Sequence, residues 1–147
     1  MPVAIEPEIE AFIRKQPVAR LATADAAGRP SVVPVCFVLL DGYFYTPIDE
    51  KRKRVSWGRL KRLRNIEVNP WVSLVIDHYS ADWTALAYVL VRGVAETVAP
   101  RDRFAREHEG VVERLRSRYP QYENARIDEK PIIKINPETV SYWTATG

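Results

Sequence analysis

The first third of the chain alternates short apolar runs with turn residues. Pro7 stands among acids and is followed by an apolar stripe that ends on Arg14 and Lys15, which predicts a short helix whose ends match its dipole. Two apolar runs rich in Ala and Val follow, and Asp41–Gly42 predicts a tight hairpin after them. The predicted elements are a helix over 6–15 and strands over 18–24, 31–40 and 43–46.

The remainder of the chain mixes helical and extended patterns. Leu60, Leu63 and Ile66 recur at three-residue steps, which predicts a helix that ends at Asn69–Pro70. A later strand is long enough to bend around Gly93. The further predicted elements are strands over 71–77, 85–99, 132–135 and 139–144, a helix over 100–119, and a mobile loop over 121–130.

The strands come in hairpins and not in strand-helix-strand units, so this pattern favours an antiparallel barrel over a parallel sheet. The predicted fold class is mainly β, with six or seven antiparallel strands and three peripheral helices. A length of 147 residues, without repeats or linkers, predicts a single domain over 1–147.

Composition narrows the functional classes. A hydrophobic content of 46% with 28% charged residues is typical of a globular protein, and no apolar run reaches the roughly 20 residues that span a bilayer. The first residues lack the pattern of a secretory signal, so a cytoplasmic location is expected. Cys36 is the only cysteine and has only His78 and His108 as possible partners, so no metal site is predicted. His108 is expected to face solvent, and His78 is expected to lie in a surface loop, with a position facing the cofactor or substrate as the alternative.

Charge is concentrated in one segment. Residues 51–64 carry eight cations and no acid, although the net charge of the whole chain is only +3. This asymmetry favours an anionic partner: a phosphorylated cofactor, an acidic substrate or a nucleic acid. Nucleic acid is the weakest of these, because Trp57 is the only aromatic residue among the cations. The cations after Lys53 are expected to be mainly a solvated helix face, with cofactor contact as the alternative.

An ordered set of short motifs resembles a known family. The set runs through residues 19–23, 28–30, 34–37, 41–42, 45–46, Lys51-x-Lys53, 69–74 and Asp82–Trp83. In this order and spacing the motifs resemble the pyridoxamine 5'-phosphate oxidase-like split-barrel flavoproteins. Within that family they resemble the subgroup of probable F420 (deazaflavin)-dependent oxidoreductases.

The resemblance implies a split β-barrel homodimer with two cofactor sites at the subunit interface. It implies that Lys51 and Lys53 bind the cofactor phosphate, that Thr46 adds a hydroxyl hydrogen bond, and that the strand around Cys36 lines the ring. Trp83 corresponds to an aromatic residue contributed by the partner subunit, although packing is an equal alternative for it. The predicted cofactor-binding residues are Lys51, Lys53, Thr46, Tyr45, Val35, Cys36, Phe37 and Trp83.

The predicted function is hydride transfer between F420 and a small organic acceptor, with FMN as the alternative cofactor. No catalytic residue is predicted, because the reactive atom would belong to the cofactor ring and the protein would bind and orient it. Cys36 is expected to be an inert thiol. The chain ends without the arginine- and histidine-bearing segment of the vitamin-making oxidases, so pyridoxine phosphate is not the expected substrate. A non-catalytic cofactor carrier or sensor is the remaining alternative.

Overall fold

The computed structural model describes residues 1–49 and 60–147. The described helices are α1 (Pro7–Lys15), α2 (Lys61–Val68) and α3 (Ala105–Arg118). The strands are β1 (Ala19–Ala24), β2 (Pro30–Val35), β3 (Val38–Leu40), β4 (Tyr43–Thr46), β5 (Trp71–His78), β6 (Ala87–Val98) and β7 (Ile132–Thr144). Short 3₁₀ helices lie at Trp83–Ala85, Asp102–Phe104, Pro120–Tyr122 and Ile127–Glu129.

All seven strands form one antiparallel sheet in the order β2-β1-β5-β6-β7-β4-β3. β2 and β3 follow each other along the chain, yet they lie at opposite edges of this sheet. Only Cys36 and Phe37 connect them, so the two edges must converge at this point. The sheet therefore curls into a split barrel, and we call Cys36–Phe37 its seam.

The seam explains where one prediction was wrong. Residues 31–40 were expected to form one strand, but they form β2 and β3 because the chain changes sheet edges between them. The hairpin after β3 is confirmed. Asp41 and Gly42 have φ angles of 54° and 84°, the positive values that a tight turn between twisted strands requires.

β6 and β7 form the longest pairing of the sheet, and its register shifts between Arg92 and Gly93. A Cβ atom on Gly93 would lie 2.1 Å from the backbone oxygen of Asn136, so only glycine fits this close approach. The predicted bend at Gly93 is confirmed. The two predicted C-terminal strands are one strand, because the irregular pairing accommodates Pro137 without ending β7.

α2 packs against β1, and the predicted apolar side of the helix is the buried one. Leu60, Leu63 and Ile66 are all buried. The side-chain amide of Asn65 donates a buried 2.9 Å hydrogen bond to the Thr23 hydroxyl, which fixes the helix to the sheet. The cations on the remaining helix surface are thereby held on the outside of the barrel.

Two apolar clusters stabilise the fold. The barrel core fills the interior and includes Leu21, Phe44, Leu74, Ile76, Val89 and Ile133. The helix-side core lies between α3 and the outer surface of the sheet. Its buried members are Val38, Tyr45, Val98, Val111, Val112, Leu115, Tyr119, Tyr122, Ile127 and Ile132.

The segment after α3 is more ordered than predicted. Residues 121–130 were expected to be a mobile loop, but Tyr122 and Ile127 are buried in the helix-side core. Arg116 reinforces this segment by donating 3.1 Å hydrogen bonds to the carbonyls of Tyr122 and Ala125. His108, expected to face solvent, is only 3% exposed, and its Nε2 donates to the Lys130 carbonyl at 2.7 Å.

The described helices are all too short or too polar to cross a bilayer.

Candidate functional site

The seam brings two predicted groups of site residues together. Val38 pairs with Tyr45, so Phe37, which immediately precedes Val38, lies near the end of β4. Val35 and Phe37 are buried in the barrel core, whereas Cys36 is half-buried and packs against the helix-side core. The predicted ring-lining segment and the end of β4 are therefore neighbours.

The backbone of Phe37 is held by side chains and not by a sheet ladder. Its N–H donates to the Tyr119 hydroxyl at 3.2 Å, and its carbonyl accepts from Arg118 at 2.8 Å. The Tyr119 hydroxyl lies 2.9 Å from the same carbonyl and 2.8 Å from that of Pro17, and its one hydrogen serves these two acceptors. The Arg118 guanidinium also stacks 4.7 Å from the centre of the Phe37 ring and donates to the Gln16 carbonyl.

On the other side of the seam, Tyr122 joins Cys36 to the segment that follows β4. The Tyr122 hydroxyl donates to Asp49, and Cys36 packs against the helix-side core that contains Tyr122. Burial, and then the hydrogen bond to Asp49 and the influence of the Cys36 thiol, raise the pKa of Tyr122. Asp49 is the last described residue before the basic run, so this network connects the seam to the start of the predicted anion site.

Tyr45 and Thr46 face opposite sides of β4. The Tyr45 side chain is 3% exposed in the helix-side core, and its hydroxyl donates to Glu107 at 2.7 Å. Glu107 also binds Lys134 at 2.7 Å. Burial and the hydrogen bond to Glu107 raise the pKa of Tyr45, while the hydrogen bonds from Lys134 and Tyr45 outweigh burial and lower the pKa of Glu107. Thr46 is 2% exposed, and its main-chain pairing with Ile133 places it beside β7.

Trp83 is the most peripheral of the predicted residues that the structure describes. It begins the 3₁₀ helix after β5 and is 70% exposed. Asp82 caps this turn by accepting from the backbone N–H of Thr84 at 3.0 Å, and the hydrogen bonds with Thr84 lower the pKa of Asp82. One chain alone therefore presents the indole of Trp83 to solvent.

The predicted phosphate ligands Lys51 and Lys53 lie outside the described residues, but the continuation of the basic run is described. The first turn of α2 contains no acid. Arg62 is partly buried there, and its buried Nε atom has no hydrogen-bond partner among residues 1–49 and 60–147. Burial removes the water from such an N–H group, and only a further acceptor can compensate for that loss. An anionic group placed against Arg62 would therefore be favourable. The nearby Lys61 ammonium is 4.0 Å from Asp25.

The outer face of β5, β6 and β7 carries exposed apolar side chains. Tyr88 and Trp143 are cross-strand partners, their ring centroids are 5.6 Å apart, and they are 41% and 46% exposed. Val75 and Leu90 continue this surface as half-buried cross-strand partners. We call these four residues the open face.

No group of three or more His, Cys, Asp or Glu side chains suited to a metal ion occurs within residues 1–49 and 60–147.

A seven-stranded antiparallel sheet whose edges meet at a two-residue seam defines the class of split β-barrel proteins. The sequence profile of the pyridoxamine 5'-phosphate oxidase family matches residues 5–144. The chain therefore belongs to this family, which the motif order had indicated. Expected family membership and the split-barrel fold are both confirmed.

Similar proteins in this family have different activities. A 5a,11a-dehydrotetracycline/5a,11a-dehydrooxytetracycline reductase from Streptomyces rimosus is 31% identical over 103 residues, which are 66% of each chain. Heme oxygenase HutZ from Vibrio cholerae is 39% identical over 74 residues, which are 49% of this chain and 36% of HutZ. The aligned regions thus span about two thirds of the reductase and about a third of HutZ.

Solved structures show the same fold at lower identity. The HutZ structure, described as a heme storage protein, has a TM-score of 0.72 at 22% identity and covers 97% of this chain and 95% of HutZ. An FAD-binding protein from Mesorhizobium loti has a TM-score of 0.72 at 21% identity and covers 95% of this chain and 94% of that protein. Flavin-binding and heme-binding proteins therefore share this architecture.

Sequence reasoning missed the side chains that hold the seam. Arg118 and Tyr119 lie about 80 residues away from Phe37 along the chain. The only local signal was an Arg-Tyr pair at a helix end just before Pro120, and this pattern is equally typical of an ordinary helix terminus. Their partners became visible only in the folded chain.

Proposed function

We propose that this protein is an oxidoreductase that transfers a hydride between F420 and a small organic acceptor. The proposed form is a cytoplasmic homodimer with one cofactor at each subunit interface. Family membership and the reductase relative support an oxidoreductase. The observation that favours F420 is the buried Nε of Arg62, which has no partner within the described part of the chain and lies in a basic stretch with no acid in the first turn of α2.

The cofactor supplies the hydride chemistry, and the chain's residues bind and orient it. Lys51 and Lys53 would bind the phosphate, and Thr46 would add a hydroxyl hydrogen bond at the end of β4. Arg62 would bind an acidic extension of the cofactor, such as the oligoglutamate tail of F420, because guanidinium groups suit carboxylates. FMN lacks this tail and would use only the phosphate anchor.

Titration of the purified protein with F420 and with FMN tests the choice of cofactor. We expect tight binding of F420 and weak binding of FMN. Tryptophan fluorescence and cofactor absorbance measure both. Arg62→Gln should weaken F420 on the order of tenfold while leaving F420 without its glutamates unaffected, as one charge-assisted hydrogen bond is lost. Tight FMN binding with weak F420 binding would select FMN instead.

Charge removal at Lys51 and Lys53 tests the phosphate anchor. We expect Lys51→Gln and Lys53→Gln each to weaken cofactor binding by roughly tenfold to a hundredfold. Arg106 and Arg114 are exposed on α3 and are the matched controls, because their replacement removes the same charge elsewhere. Equal losses at the lysines and at these arginines would contradict the anchor.

Rapid mixing of the reduced complex with organic acceptors separates an enzyme from a carrier or sensor. An enzyme shows cofactor reoxidation whose rate increases with acceptor concentration. A carrier binds the same cofactor with the same anchor but shows no such dependence. The dehydrotetracycline class is the first acceptor to test, because it is named for the reductase relative.

Heme binding is a second candidate, favoured by the 39% identity to HutZ over 74 residues. His108 already donates to the Lys130 carbonyl, whereas His78 is exposed at the end of β5 and available as an axial ligand. A Soret band in the wild-type protein that disappears in His78→Ala and is not reduced by added F420 would favour heme binding. Absence of a Soret shift would exclude this candidate.

The open face supports the proposed homodimer, since exposed aromatic pairs on a sheet face mark association surfaces. Tyr88→Lys together with Trp143→Lys should convert a dimer to a monomer in light scattering. Val68→Lys is the control, because Val68 is 61% exposed on α2 and lies outside the open face. A wild-type monomer at micromolar concentration would contradict the dimer.

A further inference from the structure

At the seam, Phe37 lies outside the strand pairings of both β2 and β3. A residue that leaves one sheet edge for the other has no neighbouring strand to supply hydrogen bonds, yet Phe37 is 1% exposed. Buried N–H and C=O groups without partners are costly. Phe37 must therefore obtain both partners from elsewhere in the fold.

The C-terminal end of α3 supplies those partners. Tyr119 accepts from the Phe37 N–H, and Arg118 donates to the Phe37 carbonyl at 2.8 Å while its guanidinium stacks on the Phe37 ring. The same two side chains donate to the carbonyls of Gln16 and Pro17 between α1 and β1. One pair of residues thus ties α3, the α1–β1 connection and the seam together.

We infer that Arg118 and Tyr119 are positioning residues that set the location of the Cys36–Phe37 backbone against the cofactor ring. This inference rests on the proposed function, in which the segment from Val35 to Phe37 lines the ring. Neither side chain needs to touch the cofactor. Their effect is transmitted through the Phe37 peptide, whose N–H and carbonyl directions they determine.

The test uses conservative variants and a ring without its phosphate. Tyr119→Phe removes the hydroxyl but keeps the buried ring, and Arg118→Lys keeps the charge but removes the planar fork. Binding of riboflavin and of 8-hydroxy-5-deazaflavin is measured for each variant, together with the absorption maximum of the bound ring. Val112→Ala is the stability control, because Val112 is a buried apolar residue of α3 whose side chain cannot form a hydrogen bond to the Phe37 backbone.

We expect Tyr119→Phe and Arg118→Lys to weaken ring binding by about tenfold, the equivalent of one lost hydrogen bond, and to shift the bound-ring spectrum. The ratio of the Kd values for ring and phosphorylated cofactor should stay constant, because the phosphate anchor is untouched. Val112→Ala should lower Tm without changing ring affinity or spectrum.

Two other results have different meanings. If the seam variants lower Tm as Val112→Ala does but keep the wild-type ring affinity and spectrum, the two residues are purely structural and the inference is wrong. If the wild-type protein binds no flavin or deazaflavin ring, the proposed function fails and the inference fails with it. The wild-type titration therefore distinguishes the two failures.

Discussion

The barrel core and the helix-side core stabilise the same sheet from its two faces by different means. The described members of the barrel core are apolar, and the Asn65–Thr23 hydrogen bond adds one buried polar contact where α2 meets β1. The described members of the helix-side core include three tyrosines whose hydroxyls bind Glu107, the Phe37 backbone and Asp49. The first core depends mainly on shape, while the second also fixes directions through several hydrogen bonds, because hydrogen bonds are directional and apolar contacts are not.

The candidate site lies where these two cores meet. The seam lies between the two cores, with Phe37 packed in one and Cys36 against the other. Loss of apolar volume should therefore mainly lower the stability of the protein. Loss of a tyrosine hydroxyl should mainly change the position of the groups that this hydroxyl binds. Substitutions in each core can separate these effects.

Gly93→Ala should have the largest effect. Its Cβ would lie 2.1 Å from the Asn136 backbone oxygen, and neither β6 nor β7 can move without breaking the longest pairing of the sheet. We expect a loss of about 4 kcal/mol or more in the free energy of unfolding, beyond the roughly 1–3 kcal/mol typical of overpacking, because the added atom would clash with backbone. Urea denaturation measures it. A loss below about 1 kcal/mol would show that the register shift is adaptable.

Leu74→Ala and Leu115→Ala compare the cores directly, because both leucines are fully buried. We expect a loss of about 4 kcal/mol for Leu74, since a central strand cannot close the cavity. For Leu115 we expect about 2–3 kcal/mol, since α3 lies on the surface and can shift inward. Urea denaturation of both variants gives the order, and the reverse order would contradict this account of the two cores.

Glu107→Gln tests the polar side of the helix-side core. At pH 7 we expect a loss of about 1 kcal/mol, because Lys134 loses a partly exposed ion pair. The folded pKa of Glu107 lies below the ordinary value of 4.5, so its stabilisation is complete above that pH and is lost as pH falls through the folded pKa. The difference between wild type and variant should therefore vanish in acid. Denaturation at pH 7, 5 and 3 checks this, and a constant difference would assign the loss to packing.

Gly110→Ala should have the smallest effect and the opposite sign. Gly110 lies within α3, is exposed, and has nothing within 4 Å of an added Cβ. Alanine should stabilise the helix by about 0.5–1 kcal/mol, measured as a rise in Tm. The same substitution thus stabilises at Gly110 and destabilises at Gly93. A fall in Tm at Gly110 would indicate that this surface of α3 is covered in the assembled protein.

Local patterns predicted the elements well where neighbouring residues determine them. The Asp41–Gly42 turn, the α1 stripe, the α2 stripe and the bend at Gly93 were all readable, because turn chemistry and periodicity act over a few residues. The break at Cys36–Phe37 was not readable. Nothing in its residue types disfavours a strand, and only closure of the sheet requires the chain to change edges there.

The candidate site divides in the same way. Motif order alone indicated the family, the split barrel and the predicted cofactor residues, and the roles of all these residues remain predictions. The surroundings of Phe37 depended on tertiary structure, because Arg118 and Tyr119 reach it across some 80 residues. The burial of His108 on α3 and the order of residues 121–130 also followed from the packing of these two segments against each other. Periodicity and turn chemistry are local and can be read from a sequence, whereas the partners of a buried polar group are chosen only when distant segments meet.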